Sequence, residues 1–162
     1  ISHLVEAPNV LLVRAQSPIR SLAHYIETAR RQPVRYGSSG IGSAPHMLGA
    51  MLAGEANATN LDHVPYRGSA PALQDLMANQ IESFIDPITT NVAMMRDGTL
   101  RALAVSTPQR LPAFPDVPTF AELGFARLTS AQWLGLSAPK ALPAPITERL
   151  ASLVPDILKQ PA

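Results

Sequence analysis

One stretch of the sequence decides the fold: Val34-Arg35-Tyr36-Gly37-Ser38-Ser39-Gly40-Ile41-Gly42-Ser43-Ala44-Pro45-His46. Residues 34–36 have the pattern of a short strand, and residues 44–55 have the apolar spacing of a helix. Between them stand three glycines and three serines. A strand that turns through glycine and serine into a helix is typical of an α/β fold, in which ligands bind at the carboxyl ends of the strands.

On both sides of this stretch, strand and helix patterns continue to alternate. We predict strands at 10–13, 34–36, 61–64, 81–85, 100–105 and 132–137. We predict helices at 21–31, 44–55, 69–77, 90–96, 119–124 and 146–159, capped among others by Ser21, Ser43, Ser69 and Thr119. Pro155 should kink or break the last helix. The alternation predicts an α/β lobe with a mostly parallel sheet of about five strands flanked by helices. On the helix at 44–55, the residues expected to face inward are Met47, Leu48, Met51 and Leu52.

Composition excludes several classes of function. Hydrophobic residues make up 46% and charged residues 15% of the 162 residues, which is the balance of one folded domain rather than of a disordered chain. The net charge of +1 comes without a basic block, which argues against nucleic acid as a partner. There is no cysteine, and the four histidines share no metal-ligand spacing, so we predict neither a metal nor another cofactor.

The loop at 37–43 has the chemistry of an anion site. Free N–H groups at the start of a helix, together with the helix dipole, attract a negative charge, and serine hydroxyls add hydrogen bonds. His46 follows within one turn and can present an imidazole N–H to a carboxylate. The alternatives are a tight turn without any ligand, and a histidine that is hydrogen-bonded to the backbone.

Sharper motifs do not fit this loop. A Walker A loop requires a lysine after its last glycine, whereas Gly42 is followed by Ser43. A dinucleotide fingerprint requires a third glycine where Pro45 stands, and the Gly-x-Ser-x-Gly elbow of a hydrolase fails at Ile41. A serine hydrolase that uses Ser39, His46 and Asp86 is therefore a remote alternative, since it also needs an order of residues that no known triad has.

Two further loops at strand ends carry polar side chains. Asp86 ends a predicted strand, where it either serves a ligand or caps the turn before Pro87. Tyr66 and Arg67 lie between another strand and helix, where Arg67 either pairs with an anion or is solvated.

Several stretches together resemble one family of proteins. Residues 36–46 are similar to the signature of the Bug/TctC solute receptors of tripartite tricarboxylate transporters. Similar stretches follow in the family's order: His63-Val64-Pro65-Tyr66-Arg67-Gly68, Gly98-Thr99-Leu100-Arg101-Ala102-Leu103-Ala104-Val105, Pro115-Asp116-Val117-Pro118-Thr119, Trp133-Leu134-Gly135 and Ala138-Pro139. Pro8-Asn9-Val10-Leu11-Leu12-Val13 resembles the segment that enters the second lobe. The resemblance covers nearly the whole chain, and the set in this order is specific.

The resemblance implies a function in uptake. Members of the family have two lobes of the type II periplasmic-binding fold with a ligand between them, lie in the periplasm, catalyse no reaction and deliver their ligand to a membrane permease. The ligands are small organic anions: dicarboxylates, tricarboxylates, acidic amino acids and aromatic acids. The resemblance carries ligand-binding roles onto Ser38, Ser39, Gly40, Gly42, Ser43, His46, Tyr66 and Asp86.

The resemblance also implies a domain organisation. Residues 1–162 correspond to the second lobe alone, with 1–14 and 132–162 as hinge and lobe-crossing segments; we find no counterpart of the first lobe or of a signal peptide. Pro87 stands where the family usually has Asn or Ser. The alternative to a piece of a receptor is a free-standing sensor or interaction module built from one such lobe. We expect a lone lobe to bind ligand poorly and to self-associate, for example as a homodimer.

Overall fold

The computed structural model describes residues 1–159 and shows six strands and five α-helices in that range. The strands are β1 (Ser2–Arg14), β2 (Val34–Ser38), β3 (Leu61–Pro65), β4 (Ser83–Pro87), β5 (Leu100–Val105) and β6 (Ala131–Leu136). The helices are α1 (Leu22–Arg31), α2 (Ala44–Glu55), α3 (Ser69–Met77), α4 (Val92–Arg96) and α5 (Ala144–Leu158). Short 3-10 turns lie at Ile88–Thr90 and Ala126–Leu128. Among residues 1–159, none of the helices combines the length and the hydropathy that crossing a bilayer requires.

The strands form one mixed sheet in the order β3-β2-β4-β1-β5, and β6 pairs with β1. β2 runs parallel to β3 and to β4, whereas β1 is antiparallel to both of its neighbours, β4 and β5. The carboxyl ends of β2, β3, β4 and β5 therefore meet at one edge of the sheet. The loop after β2 lies at that edge, as the sequence predicts.

Each face of the sheet is covered by its own apolar cluster because side chains alternate along the strands. Leu11 and Val13 of β1 pack into the cluster that includes α1, α2, Phe120 and Leu128. Val10 and Leu12 point to the opposite face and pack with α3 and the residues around α4. The predicted α/β class, with helices on both faces of the sheet, is confirmed.

The chain divides into two compact units. One unit is Pro8–Ala131, and it contains both apolar clusters. The other is Ile1–Ala7 with Gln132–Ala162, of which residues 160–162 lie outside the described residues. In this smaller unit the N-terminal ammonium donates to the carbonyl of Leu136 at 2.9 Å, and α5 buries none of its residues.

The predicted bounds of α2 are confirmed, but half of its predicted inner face is wrong. Leu48 and Leu52 are buried, whereas Met47 and Met51 are 51% and 36% exposed. The residues that join the two leucines in the interior are the small residues Pro45 and Gly49. Gly49 faces the sheet because a Cβ at this position would lie 2.2 Å from Cε2 of Tyr36.

Three other local predictions are wrong. Gly68 rather than Ser69 is the N-cap of α3, since the hydroxyl of Ser69 donates to Asp86 instead. Thr119 and Glu122 exchange the hydrogen bonds of a capping box, yet turns rather than a helix follow them. The predicted break at Pro155 is wrong, because α5 continues through this residue, whereas the alternative, a kink, stays a prediction.

Candidate functional site

The loop from Ser39 to Ser43 joins β2 to α2 and depends on two glycines. Gly40 has φ +140° and Gly42 has φ +78°, and residues with a side chain rarely adopt a positive φ of this kind. The glycines therefore let the chain turn directly from the strand into the helix.

Ser43 closes the loop as the N-cap of α2. Its hydroxyl accepts from the backbone N–H of His46 at 3.3 Å and donates to the carbonyl of Gly40 at 2.7 Å. Pro45 in the first turn needs no hydrogen-bond partner for its nitrogen. This cap confirms the predicted start of the helix and fixes the loop against it.

Several donors on the loop have no partner within the protein. Across residues 1–159, no acceptor is found for the N–H groups of Ser39, Ile41 and Ala44, nor for the hydroxyl of Ser39. Ser39 and Ala44 are half-buried, and Ile41 is exposed. These groups surround the positive end of the α2 dipole, so the loop offers hydrogen bonds and a favourable potential to an anion.

His46 adds a side-chain donor to the same group. Its Nδ1 accepts from the N–H of Gly42 at 3.1 Å, so the neutral imidazole carries its proton on Nε2. No protein acceptor for that Nε2–H is found in the described residues. The half-buried ring thus supplies an N–H donor at the start of α2.

Ser38 lies beneath the loop rather than on its surface. The residue is 0% exposed, and its hydroxyl donates to the carbonyl of Gly40 at 3.2 Å and accepts from the N–H of Gly40 at 3.3 Å. The same oxygen lies 2.7 Å from Nε2 of His63 on β3. Ser38 therefore holds the loop from below.

The sequence reasoning missed His63. Its ring is close to two others: the centroid distance is 4.1 Å to the ring of His46 and 5.0 Å to the ring of Tyr36. The pKa of His63 is held below its usual value by burial, and next by the nearby His46. Spacing along the chain does not reveal this contact, because the parallel register of β2 and β3 creates it by pairing Tyr36 with His63.

Tyr66 touches the loop through its backbone. Its N–H donates to the carbonyl of Ser38 at 3.0 Å, while its hydroxyl donates to Asp75 at 2.7 Å. Burial first, and then this hydrogen bond, raise the pKa of Tyr66 to about 12. The phenol is thus engaged by α3, and the main chain of Tyr66 is the part that meets the loop.

Asp86 shares this edge of the sheet but lies on the α3 side. The side chain is 0% exposed and accepts from Ser69 at 2.7 Å, from Asn91 at 2.9 Å and from Thr90. Burial raises the pKa of Asp86, although these three hydrogen bonds act in the opposite direction. Its carboxylate joins the start of α3 to the segment that follows β4.

A cavity of about 390 Å³ lies at the opposite edge of the sheet, near the end of β1 and the start of β2. Its charged lining includes Arg14, which donates to Asn79, and Glu82, which is paired with Arg35. Because both of these side chains already have hydrogen-bond partners, we assign the ligand site to the loop with its unpaired donors. In residues 1–159, no three potential metal ligands come together.

Comparison with known proteins gives consistent results. The family model described as the tripartite tricarboxylate transporter family receptor matches residues 1–162. A protein from Pseudomonas sp. (strain P51), named for the tcbD-tcbE intergenic region, is 38% identical over 94% of this chain and 48% of its own length. The structure of R. palustris Rpa4515 with adipate has a TM-score of 0.90 at 32% identity, over 98% of this chain and 53% of that one. The structure of MatC from Rhodopseudomonas palustris with bound malate has a TM-score of 0.88 at 30% identity, over 98% of this chain and 54% of that one.

The chain thus spans about half the length of the relatives it matches. The matched family is one of receptors and not of enzymes, which removes the hydrolase alternative. A family model that covers the whole sequence, together with a structural match over nearly all of it, leads to one conclusion: the chain belongs to the tripartite tricarboxylate transporter receptor family, also called Bug or TctC.

Proposed function

We propose that this chain is the second domain of a periplasmic solute-binding receptor and that its loop at 39–43, with the start of α2, grips a carboxylate of a small organic anion. The observation that carries the proposal is the set of unpaired donors around the N-terminus of α2. A carboxylate accepts several hydrogen bonds, and those to a charged acceptor are stronger than neutral ones.

The residues of the site take two kinds of role in this proposal. Direct donors come from Ser39, from the backbone between Gly40 and Ala44, and from His46. Supporting roles fall to the buried or engaged groups, namely Ser38, Ser43, Tyr66 and Asp86. Whether Ser38, Tyr66 and Asp86 also touch the ligand stays a prediction.

The ligand class follows from the donors and from the relatives. Neutral donors at a helix N-terminus select a negative charge rather than a particular carbon skeleton. The two related structures hold adipate and malate, which are both dicarboxylates. We therefore place a dicarboxylate first, and keep tricarboxylates, acidic amino acids and aromatic acids as further ligands.

The proposal extends to the compartment of the protein and to its partners. As in its family, the receptor acts in the periplasm and hands its ligand to a membrane permease. Residues 1–14 and 132–162 serve as hinge and crossing segments toward a first domain. The second candidate, a sensor made of this lobe alone, differs in that it needs no permease and no partner domain for tight binding.

The test is a titration of the 15N-labelled chain with malate, adipate and glutamate, followed by two-dimensional NMR. We expect weak binding, with shifts concentrated at residues 39–46, because one lobe supplies only part of the hydrogen bonds. Ser39→Ala should weaken binding about tenfold, the loss of one hydrogen bond to a charged group. The exposed Ser152→Ala serves as the matched control. Shifts that cluster away from the loop, or equal affinities for the two variants, contradict the proposal; micromolar affinity favours the lone sensor.

A further inference from the structure

We propose that His63 is a positioning residue of the anion site, which holds Ser38 and His46 in place and takes up a proton when the anion binds. This inference rests on the proposed function of the loop. His63 lies on β3, outside the loop, and touches two of the residues assigned to the ligand.

The first contact fixes Ser38. A serine hydroxyl has one hydrogen to donate and two lone pairs to accept with. The hydroxyl of Ser38 donates to the carbonyl of Gly40 and accepts from the N–H of Gly40, so its remaining lone pair faces Nε2 of His63 at 2.7 Å. We assign the hydrogen of this contact to Nε2 of His63, an arrangement in which all three hydrogen-bonding positions of Ser38 are filled.

The second contact fixes His46. The ring of His63 lies 4.1 Å from that of His46 and also contacts the ring of Tyr36, at 5.0 Å. This stack holds the His46 imidazole in the orientation in which Nδ1 accepts from Gly42. Removal of the His63 ring leaves His46 free to turn and to release that hydrogen bond.

The two imidazoles differ in their capacity to take a proton. Nδ1 of His46 already accepts from Gly42, so a proton there breaks a hydrogen bond of the loop. Nδ1 of His63 has no hydrogen-bond partner in the described residues, and its protonation leaves the bond from Nε2 to Ser38 intact. Within this proposal, the proton taken up with the anion goes to Nδ1 of His63, because protonation there costs no hydrogen bond of the loop.

An anion on the loop makes protonation of His63 more favourable. In the described residues, the groups in contact with the His63 ring are His46 from α2, and Tyr36 and Ser38 from β2. None of them is a carboxylate. Without an anion, burial and His46 disfavour the protonated ring. A bound carboxylate supplies the missing negative charge, so anion binding raises the pKa of His63, and by reciprocity affinity rises as the pH falls.

Two variants separate the contacts. His63→Phe keeps an aromatic ring but has neither the donor to Ser38 nor a titrating group. His63→Gln keeps a hydrogen-bond donor but has neither the aromatic ring nor a group that can be protonated in this pH range. The exposed His24→Gln on α1 is the matched control.

The first readout is the dissociation constant for malate by NMR between pH 8 and 5.5. In the wild type and in His24→Gln, affinity should increase by up to about tenfold toward low pH, the limit for a pKa rise of one unit. Both His63 variants should lose this dependence, and His63→Phe should bind about tenfold more weakly at pH 8, as expected for a loop that has lost a hydrogen bond. A wild-type pH slope retained by His63→Gln overturns the proposal.

The second readout needs no ligand. The 15N shifts of the imidazole nitrogens report the tautomer of each histidine, and we expect the Nε2–H form for both His46 and His63. His63→Gln should shift His46 toward a mixture of tautomers, and an unchanged His46 overturns the positioning role. If the wild type binds no carboxylate at all, the proposed function fails, while this readout still decides the inference. If His63→Phe does not fold, His63→Gln and the wild-type titration carry the test.

Discussion

At the scale of single residues, Gly49 is the clearest constraint on α2. The ring of Tyr36 fills the space where a side chain at Gly49 would lie, and the hydroxyl of Tyr36 donates to the carbonyl of His46 at 3.3 Å. The glycine therefore lets the helix approach the sheet closely, which brings His46 to His63.

Gly49→Ala should lower the free energy of unfolding by about 1–3 kcal/mol, because a methyl group does not fit against Tyr36. Gly54→Ala, on the same helix but with open space around it, should raise that free energy by about 0.5–1 kcal/mol through the better helix propensity of alanine. Urea unfolding followed by circular dichroism measures both. Equal effects of the two variants would contradict the packing argument.

Asp86 provides a second test at this scale. Because burial raises its pKa in the folded state, the folded protein binds the proton more tightly than the unfolded chain does. Its contribution to stability is therefore largest at low pH and decreases as the pH rises through the folded-state pKa.

Asp86→Asn, which keeps an acceptor oxygen without the charge, should match the wild type within about 1 kcal/mol at pH 7. Asp86→Ala should lose about 1–3 kcal/mol, because Ser69 is left without its acceptor. The difference between the wild type and Asp86→Asn should shift in favour of the wild type as the pH falls from 7 toward 4. Urea unfolding as a function of pH measures this difference. A shift in favour of Asp86→Asn as the pH falls would contradict the raised pKa of Asp86.

At the scale of elements, local sequence signals predict where a helix begins and ends better than they predict which side of it packs on the sheet. Ser43 and Pro45 mark the start of α2 because capping depends only on neighbouring residues. The inward side of α2 was harder to predict because apolar residues occur all around this helix, and the ring of Tyr36 determines which side faces the sheet.

After Thr119, by contrast, the sequence predicts a helix that does not form. The local capping signal is correct, yet the backbone is used elsewhere. The N–H of Phe120 donates to the carbonyl of Val105, and the chain turns at Gly124 with φ +93°. Competition from the neighbouring strand β5 is a tertiary effect that a local pattern does not contain.

The candidate site divides in the same way. Ser39, Gly42, Ser43 and His46 come together because they are neighbours in sequence, and so they could be predicted. His63 joins them only through the parallel pairing of β2 with β3. A single sequence contains no signal for that register beyond the alternation of the strand.

Pro155 allows a test at the scale of one helix. It lies inside α5 and lacks the N–H that would donate to the carbonyl of Ala151, at a typical cost of about 3 kcal/mol. Pro155→Ala should therefore slow amide exchange over residues 151–158. Pro145→Ala, in the first turn, where no such bond is lost, should leave that exchange unchanged. Hydrogen–deuterium exchange with mass spectrometry compares the two, and equal protection contradicts the argument.

At the scale of the whole molecule, the smaller unit exposes apolar surface. Trp133 is 67% exposed, Leu134 50% and Ile157 59%. Exposed apolar side chains of this kind favour association. Self-association of the chain, as a homodimer or otherwise, stays a prediction.

Sedimentation velocity over a range of concentrations should show a sedimentation coefficient that rises with concentration. The double variant Trp133→Gln with Leu134→Gln should remove the rise. Leu123→Gln, which changes an exposed leucine of the larger unit, should not. A coefficient that is constant over a hundredfold range of concentration, at the value of a monomer, rules the prediction out.

The position of β1 has a consequence for how the chain folds. Along the chain this strand precedes both of the strands between which it lies. β4 follows it after three helices and two other strands, and β5 after four helices and three other strands. Pairing Leu12 with Phe84 and with Ala102 closes long loops, and long-range pairing of this kind slows folding. Until β5 has left the ribosome, the apolar run from Val10 to Val13 can pair with β4 but lacks its neighbour on the other side. A nascent chain of this protein therefore depends on delayed closure of its sheet, with the first strand waiting for the fifth.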